Sequence, residues 1–365
     1  MLAFVGAADS LAVQMFRVSG AGTFELLASV PLPDVTTPSR VSLPLTFSPD
    51  GATLFVTVRS KPFCIKSFRL DRGEPRLTYL SSAEVPGSLA DITVDATGRY
   101  IFGASYPDNL VCVLPIGPDG VLGPAQQQVD LPGKAHAITP DPANRFVVAT
   151  LIGADSLWTF RLDAASGRLE FVGETSCRPG SGPRHAVFHP DGRALYVVNE
   201  YDGMVDVFDF DPQTGALLLR STAPILPPNC HGRARGADLR ITPDGRYLYA
   251  SERATSTISA FRCEGGGRLA PIGYYISEAS PRTLAIDPKG RHLLAAGQLS
   301  RALTSYAIDP ATGALSPLHS YPPGAGIMYP AGAGLIAQFD DVGARSSMGF
   351  HPMGRNPSWI EIVKD

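Results

Sequence analysis

Residue types suited to acid–base chemistry and anion binding recur at a few points along this chain. Arg184 and His185 are adjacent, and Glu200 follows them shortly. His136 and Arg253 stand in comparable stretches on either side. An arginine can bind a carboxylate or phosphate and stabilise an oxyanion, whereas a histidine or glutamate can take a proton from water. Together these residues predict chemistry on a small, anionic, oxygen-rich molecule.

The motifs of several common chemistries are missing from the sequence. It contains no HExxH, no CxxC, no GxSxG and no glycine-rich phosphate loop. The carboxylates predicted beside the arginines are too few for a Ca²⁺ or Zn²⁺ centre. Five cysteines without CxxC spacing indicate reduced thiols rather than a disulfide framework. The sequence therefore predicts no metal and no cofactor.

The elements that must position the candidate residues belong to a repeat, best seen in the unit Gly182–Leu219. Four short runs of β-branched and aromatic residues alternate there with turns such as Pro190–Gly192 and Thr214–Gly215. Such runs predict four antiparallel strands, and four strands in about 40 residues are typical of one β-propeller blade. The turn glycines of the second hairpin recur at Gly22, Gly73, Gly120, Gly167, Gly215, Gly267 and Gly313.

The two ends of the chain complement one another. Seven second hairpins stand against six first hairpins, because the first copy lacks its innermost strand. The segment Asn356–Val363 is an isolated innermost strand, similar to the openings of the other units. We therefore predict an all-β fold, a single domain over residues 1–365. It is a seven-bladed propeller of four-stranded antiparallel blades, and its ring is closed by the C-terminal strand (356–363) in the N-terminal blade. A long insertion, residues 321–355, precedes that strand.

Strand alternation predicts which side chains share a face. The starts of the inner strands and the turns after the second strands should lie on one face, around a single cavity at the central channel. Arg184 and Glu200, at opposite ends of one hairpin, should be neighbours in a solvent-accessible ion pair. Glu200 and Glu252 are predicted to be equivalent, so that one of them could be only a turn acceptor. An arginine at a blade corner could likewise only pair with the next blade, and a histidine could be structural.

The candidates on this face fall into two groups. The catalytic candidates are His136, Arg184, Glu200 and His185. The substrate-binding candidates are Arg59, Arg235, Arg253, Arg282 and Gln298.

The charge balance narrows the partners. With 31 basic and 34 acidic residues the chain has no basic stripe, which argues against nucleic acid. No stretch approaches 18 uninterrupted apolar residues, and the N-terminus lacks the basic region of a signal peptide. We therefore expect a cytoplasmic protein, a monomer, with no membrane partner.

The chain resembles the bacterial 6-phosphogluconolactonase family of seven-bladed propellers, which also contains fungal carboxymuconate cyclases. The resemblance covers nearly the whole chain, and its most specific pieces are GPRH (182–185), NE (199–200), PR (281–282) and AAGQ (295–298). It implies metal-independent chemistry on a lactone ring, hydrolytic in one branch and cyclising in the other. The cyclase site of a histidine, two arginines and a glutamate maps to His136, Arg184 and Glu200, with the second arginine at Arg253 or Arg282.

Three functions follow, in order of preference. The first is hydrolysis of a small anionic sugar-acid lactone, 6-phosphogluconolactone above all. In this reaction Arg184 with Arg253 or Arg282 binds the substrate and polarises its carbonyl, and the base is His136, Glu200 or His185. The second is a cycloisomerase (lactonising lyase) acting on a carboxymuconate-type diacid. The third is a non-catalytic propeller scaffold, which would expose apolar rather than charged patches.

Overall fold

The structure is a computed structural model that describes residues 1–38, 42–230, 232–265, 267–322 and 357–363, the first two residues of the last range by backbone alone. Across these ranges the chain forms 28 β-strands and no helix. Accordingly, none of the described segments is a helix of the length and apolarity that a membrane crossing requires.

The strands form seven sheets of four, here called blades 1 to 7. Blade 1 holds β1 (Leu2–Ala7), β2 (Ala12–Val18) and β3 (Phe24–Pro31); blade 2 holds β4 (Leu45–Phe47), β5 (Thr53–Val58), β6 (Cys64–Asp71) and β7 (Arg76–Glu84); blade 3 holds β8 (Leu89–Val94), β9 (Tyr100–Ser105), β10 (Leu110–Pro115) and β11 (Gln127–Asp130); blade 4 holds β12 (Ala135–Pro140), β13 (Phe146–Leu151), β14 (Ser156–Asp163) and β15 (Arg168–Ser176). Blade 5 holds β16 (Pro183–Phe188), β17 (Ala194–Asn199), β18 (Met204–Phe210) and β19 (Leu217–Pro224); blade 6 holds β20 (Gly236–Ile241), β21 (Tyr247–Glu252), β22 (Thr257–Glu264) and β23 (Arg268–Ile276); blade 7 holds β24 (Pro281–Ile286), β25 (His292–Gly297), β26 (Leu303–Ile308) and β27 (Leu315–Tyr321); β28 (Pro357–Val363) returns to blade 1.

The closing strand lies where the sequence predicts it. β28 is the inner strand of blade 1, antiparallel to β1, with Leu2 opposite Val363 and Gly6 opposite Trp359. It also packs against the inner strands of both neighbouring blades, β24 and β4. The seven-bladed ring closed by the C-terminal strand is thereby confirmed. Of the predicted insertion, Tyr321 is the last residue of β27, and residues 323–355 lie outside the described part of the chain.

The hydrophobic core is divided among the interfaces between blades. One cluster joins Phe4 and Met15 of blade 1 to Leu54 of blade 2, and Trp359 and Val363 of the closing strand pack into it. Comparable clusters fill the other interfaces, with their large side chains almost completely buried. Because each blade packs on its neighbours, the ring as a whole fixes the positions of the inner strand ends.

Candidate active site

A β-bulge recurs at the beginning of the inner strands and sets the direction of three candidate side chains. The register shifts between Ala135 and Ala137, between Pro183 and His185, and between Pro281 and Thr283. The extra residue in each bulge is therefore His136, Arg184 or Arg282. A bulged residue is released from the ladder and its side chain is redirected. These three candidates thus occupy equivalent positions in blades 4, 5 and 7.

A second set of equivalent positions follows the second strand of each blade. The residues directly after β5, β9, β13, β17, β21 and β25 are Arg59, Tyr106, Ile152, Glu200, Arg253 and Gln298. Because β-hairpins return the chain to the face it left, this set lies beside the bulged residues. Four of the sequence-predicted candidates belong to it.

Glu200 bridges two arginines. Its Oε2 accepts a hydrogen bond from Nε of Arg184 at 3.1 Å, and its Oε1 lies 2.8 Å from a terminal nitrogen of Arg253. Arg184 also donates through Nη1 to the carbonyl of Ala237 on blade 6. The predicted pairing of Arg184 with Glu200 is therefore confirmed. The expectation of a solvent-accessible pair is wrong, because the two guanidinium side chains are only 2% and 4% exposed, against 20% for Glu200.

The charge state of this bridge follows from its surroundings. Burial raises the pKa of Glu200, but the positive charges of Arg184 and Arg253 outweigh burial and hold it below its usual value. Burial and the neighbouring Arg253 lower the pKa of Arg184 to about 10, although Glu200 opposes them. Arg184 and Glu200 are thus both charged near pH 7. A carboxylate held by two guanidiniums is better suited to positioning them than to accepting a proton.

Glu252 serves a different purpose from Glu200. Its carboxylate accepts hydrogen bonds from the backbone N–H of Arg235 and Thr255, both at 2.5 Å, and from the Thr255 hydroxyl at 2.7 Å. It is therefore the turn acceptor of blade 6. The predicted equivalence of Glu200 and Glu252 is wrong by one residue. Gly236 pairs with Glu252 as Pro183 pairs with Asn199, so Glu200 is the counterpart of Arg253.

Gly236 brings blade 6 close enough for this network to form. A Cβ on this glycine would lie 2.2 Å from the carbonyl oxygen of Asn199, so any other residue would push β20 away from the end of β17. Asn199 directly precedes Glu200, and Ala237, the acceptor of the Arg184 bond, directly follows Gly236. The contact therefore sets the distance across which Arg184 and Glu200 reach blade 6.

Two histidines lie next to the bridge. The rings of His136 and His185 have centroids 4.9 Å apart, and Tyr106 contacts His136 edge-on at 6.0 Å. Burial, followed by the charge of Arg184, holds the pKa of His136 well below its usual 6.5. The same two causes lower the pKa of His185 to about 4. Both imidazoles are therefore neutral near pH 7, the form that can accept a proton.

The two histidines differ in how they are held. Nδ1 of His185 lies 3.3 Å from Oδ1 of Asp238, and its ring lies 5.7 Å from that of Trp359 in the closing strand. Asp238 is fixed in turn by the N–H of Leu284 at 2.9 Å. Nε2 of His185 and Nδ1 of His136 are both buried without a hydrogen-bond partner among the described residues. His185 therefore has one nitrogen on a carboxylate and the other enclosed.

Below the histidines the central channel contains further charges. Arg240 lies 3.3 Å from Asp238, and three carboxylates, Asp238, Glu361 and Asp91, outweigh burial and raise its pKa. Burial raises the pKa of Asp91 and that of Glu361 to about 7. The channel thus carries ionisable groups from blades 3, 6 and 1. Even so, no group of three or more His, Cys, Asp and Glu side chains in the described ranges is arranged to hold a metal ion.

The remaining candidates lie at different depths. Arg59 donates from Nε to Oγ of Ser88 at 3.1 Å and from Nη1 to Oγ of Ser42 at 2.7 Å. Arg282 donates to Oε1 of Gln298 at 3.5 Å. The carbonyl of Arg235 accepts from Nε of Arg253 at 3.2 Å, but its own side chain is exposed and reaches none of these groups. A substrate-binding role for Arg235 therefore stays a prediction.

The residues around the Glu200 bridge and the two histidines lie at one opening of the central channel, here called the mouth. Sequence reasoning missed several of its side chains. Ser42 and Ser88 fix Arg59, and Trp359 contacts His185. At the rim, Nζ of Lys134 lies 5.0 Å from the ring centroid of Tyr106. Tyr201 also lies here, and burial followed by the proximity of Tyr106 raises its pKa to about 12. Lys134 and Tyr201 are sequence neighbours of His136 and Glu200, and that adjacency was the signal that could have found them.

The fold and this mouth define a seven-bladed propeller with charged and neutral polar groups gathered at one end of its channel, and comparison with known proteins supplies its family. The family described as "Lactonase, 7-bladed beta-propeller" matches residues 7–329. The chain belongs to this family of seven-bladed β-propeller lactonases, which confirms the resemblance seen in the sequence.

Named relatives and solved structures agree with that assignment. The chain is 36% identical to a 6-phosphogluconolactonase of Serratia proteamaculans over 330 residues, 90% of this chain and 97% of the relative. A 6-phosphogluconolactonase of Pectobacterium carotovorum is also 36% identical, over 89% of this chain and 96% of its own. The periplasmic gluconolactonase of Pseudomonas aeruginosa is 28% identical with a TM-score of 0.78, over 89% of this chain and 97% of its own.

Proposed function

We propose that this protein hydrolyses 6-phosphogluconolactone to 6-phosphogluconate. The observation that carries the proposal is the Glu200 bridge between Arg184 and Arg253 beside two neutral, buried histidines. Relatives named 6-phosphogluconolactonase cover almost the whole chain and support the same substrate.

The chemistry assigns a separate task to each group. Water adds to the lactone carbonyl while a base removes its proton, the ring C–O bond then breaks, and the ring oxygen leaves as a hydroxyl after taking up a proton. Nε and Nη1 of Arg184 are engaged by Glu200 and Ala237, which leaves Nη2 as the donor for the oxyanion of the tetrahedral intermediate. Glu200 holds this guanidinium in place through Oε2, and its Oε1 holds the neighbouring guanidinium of Arg253.

We assign the base to His136. Burial keeps it neutral near pH 7, so it can accept a proton from water. His185 is less suited, because Nδ1 faces Asp238 and Nε2 is enclosed. Glu200 is less suited because both of its oxygens contact guanidiniums. His185 instead lines the wall against which His136 packs.

A direct assay tests the proposal. The purified protein is given 6-phosphogluconolactone, and release of 6-phosphogluconate is followed above the spontaneous rate. We expect His136→Gln to lower kcat by about 10²–10⁴-fold, typical of losing a general base. His189→Gln is the matched control, because His189 contacts Gly245 on the opposite face of the ring. Equal activity in both variants would contradict the assignment of the base.

The same preparation addresses the other reactions. Turnover of a carboxymuconate-type diacid, without lactone hydrolysis, would favour the cycloisomerase, for which the paired arginines are equally suited to gripping carboxylates. A protein that turns over neither the lactone nor the diacid would favour the non-catalytic propeller scaffold. The buried charges of the mouth argue against a scaffold, since interaction surfaces rely on exposed apolar and aromatic side chains.

We also propose the setting in which the enzyme acts. The nearly balanced charge favours no nucleic-acid or membrane partner, and we propose a cytoplasmic monomer that needs no metal. The Pseudomonas aeruginosa relative is periplasmic, so cell fractionation is the test of location. Appearance of the protein in the periplasmic fraction would overturn the cytoplasmic proposal.

A further inference from the structure

Two arginines of the mouth have no carboxylate partner. Arg59 is held by two hydroxyls, those of Ser42 and Ser88, and Arg282 by the side-chain amide of Gln298. Neither guanidinium lies within 4.0 Å of a carboxylate in the part of the chain that the structure describes. Asp108 is the acidic side chain that acts on Arg59 from a greater distance, and it is itself bound by the N–H of Ser88 at 2.8 Å.

The surroundings of these two arginines make their charges costly. Burial lowers the pKa of Arg59 to about 10. Burial, then Arg184, Arg253 and Arg59, hold the pKa of Arg282 well below its usual value. Half-buried like charges without a carboxylate partner are unfavourable in the free protein, and an anion would relieve both the desolvation and the repulsion. The mouth is therefore built for a ligand that carries more negative charge than a lactone ring.

The pair belongs to other blades than the catalytic groups. Arg59 belongs to blade 2 and Arg282 to blade 7, so they flank blade 1. In blade 1 the corresponding position directly follows β1, the strand next to the inner strand β28, and it is occupied by the small, fully buried Ala8. Most other blades carry a large or charged side chain at this position. His136, Arg184 and Glu200 lie in blades 4 and 5, across the mouth. A ligand with its reactive carbonyl at the bridge can extend its other end towards blade 1.

We propose that Arg59 and Arg282 bind the phosphate of a phosphorylated sugar lactone and so set a preference for phosphorylated over unphosphorylated lactones. The inference rests on the proposed lactone hydrolysis. A phosphate ester carries close to two negative charges at neutral pH, which two guanidiniums without a carboxylate partner neutralise, and an arginine presents paired N–H donors to it. The charge of Arg184 is already partly balanced by Glu200, so Arg184 is assigned to the lactone carbonyl and not to the phosphate.

The experiment compares two substrates that differ only in the phosphate. The value of kcat/KM is measured on 6-phosphoglucono-1,5-lactone and on glucono-1,5-lactone for the wild type, Arg59→Gln and Arg282→Gln. We expect the selectivity ratio, phosphorylated over unphosphorylated, to fall by about 10- to 100-fold in each variant, the worth of hydrogen bonds to a charged group. Inhibition by inorganic phosphate should weaken in the same variants. Arg193→Gln, an exposed arginine after the turn on the opposite face, is the matched control.

The outcomes are distinguishable. A wild type that hydrolyses the phosphorylated lactone, with variants that lose both substrates equally, would overturn the phosphate subsite and leave the proposed function standing. A wild type that hydrolyses only glucono-1,5-lactone would overturn both the substrate and the subsite. A wild type inactive on both lactones would end the proposed function. For such an inactive protein, binding of inorganic phosphate is measured by calorimetry in place of inhibition. Equal phosphate affinity in the wild type and the variants would overturn the subsite.

Discussion

Replacing Glu200 with glutamine removes one negative charge from between two buried guanidiniums while keeping the shape of the side chain. Removing one partner of a buried ion pair costs about 3–5 kcal/mol, because the remaining charge stays desolvated. Glu200 itself is 20% exposed, whereas Arg184 is 2% and Arg253 is 4% exposed. We therefore expect a loss of about 3 kcal/mol in the free energy of unfolding, the lower end of that scale.

The assay is thermal unfolding at pH 7 together with turnover of the lactone. At an unfolding entropy of about 2.1 cal/mol/K per residue, a loss of about 3 kcal/mol corresponds to a fall in Tm of about 4 °C for a chain of this length. Turnover should fall by about 10²–10³-fold, because Arg184 loses the group that positions it for the oxyanion. Inorganic phosphate should raise the Tm of Glu200→Gln more than that of the wild type, since the anion replaces the missing charge.

A surface pair provides the control. Glu25 lies 2.8 Å from Arg17, with 63% and 52% of the two side chains exposed, and such pairs contribute about 0–1 kcal/mol. Glu25→Gln should therefore leave both Tm and turnover almost unchanged. If Glu200→Gln behaves like Glu25→Gln, the bridge contributes neither stability nor positioning and the reasoning is refuted.

Three further predictions concern pH, the closing strand and metals. Because His136 and His185 have pKa values below 6.5, with that of His185 at about 4, protonating them favours the unfolded chain. Their contribution to stability is therefore present above pH 6.5 and is lost as the pH falls towards 4. The acid limb of the pH profile of kcat/KM should likewise lie below pH 6.5, and an acid limb at pH 6.5 or above would contradict this prediction. Deleting residues 356–365 removes the inner strand of blade 1 and exposes sheet edges, so the product should aggregate or melt well below the full chain, and an unchanged Tm would count against ring closure. Prolonged dialysis against EDTA should leave lactone hydrolysis intact, and a loss restored by Ca²⁺ or Zn²⁺ would show a metal requirement.

The blades and the closure of the ring could be predicted from sequence because they depend on local signals. Alternating runs between turn glycines define each hairpin, and the unpaired segment at Asn356 matches the strand missing before Leu2. Arg184 and Glu200 could be paired for the same reason, since they terminate one hairpin. Local patterns therefore sufficed wherever the interaction stays within one blade.

Contacts between blades could not be predicted in this way. The bond of Glu200 to Arg253 and the contact of His136 with His185 depend on how closely neighbouring blades approach, which residues such as Gly236 determine. The mistaken equivalence of Glu200 and Glu252 has a different origin. It matched two residues of the same type, whereas Glu200 and Arg253 stand at the same distance from the turn glycines Gly192 and Gly245. Burial of Arg184 likewise follows from packing of the whole ring.

The contact between Trp359 and His185 has a consequence for when the enzyme becomes active. Residues at opposite ends of the chain, Leu2 and Val363, must pair before Trp359 can stand beside the imidazole. During synthesis the other six blades can form as they leave the ribosome, but the histidine environment stays incomplete until residue 363 has emerged. Lactone hydrolysis should therefore begin only after that point, and a stalled nascent chain that carries every arginine of the mouth should still be inactive.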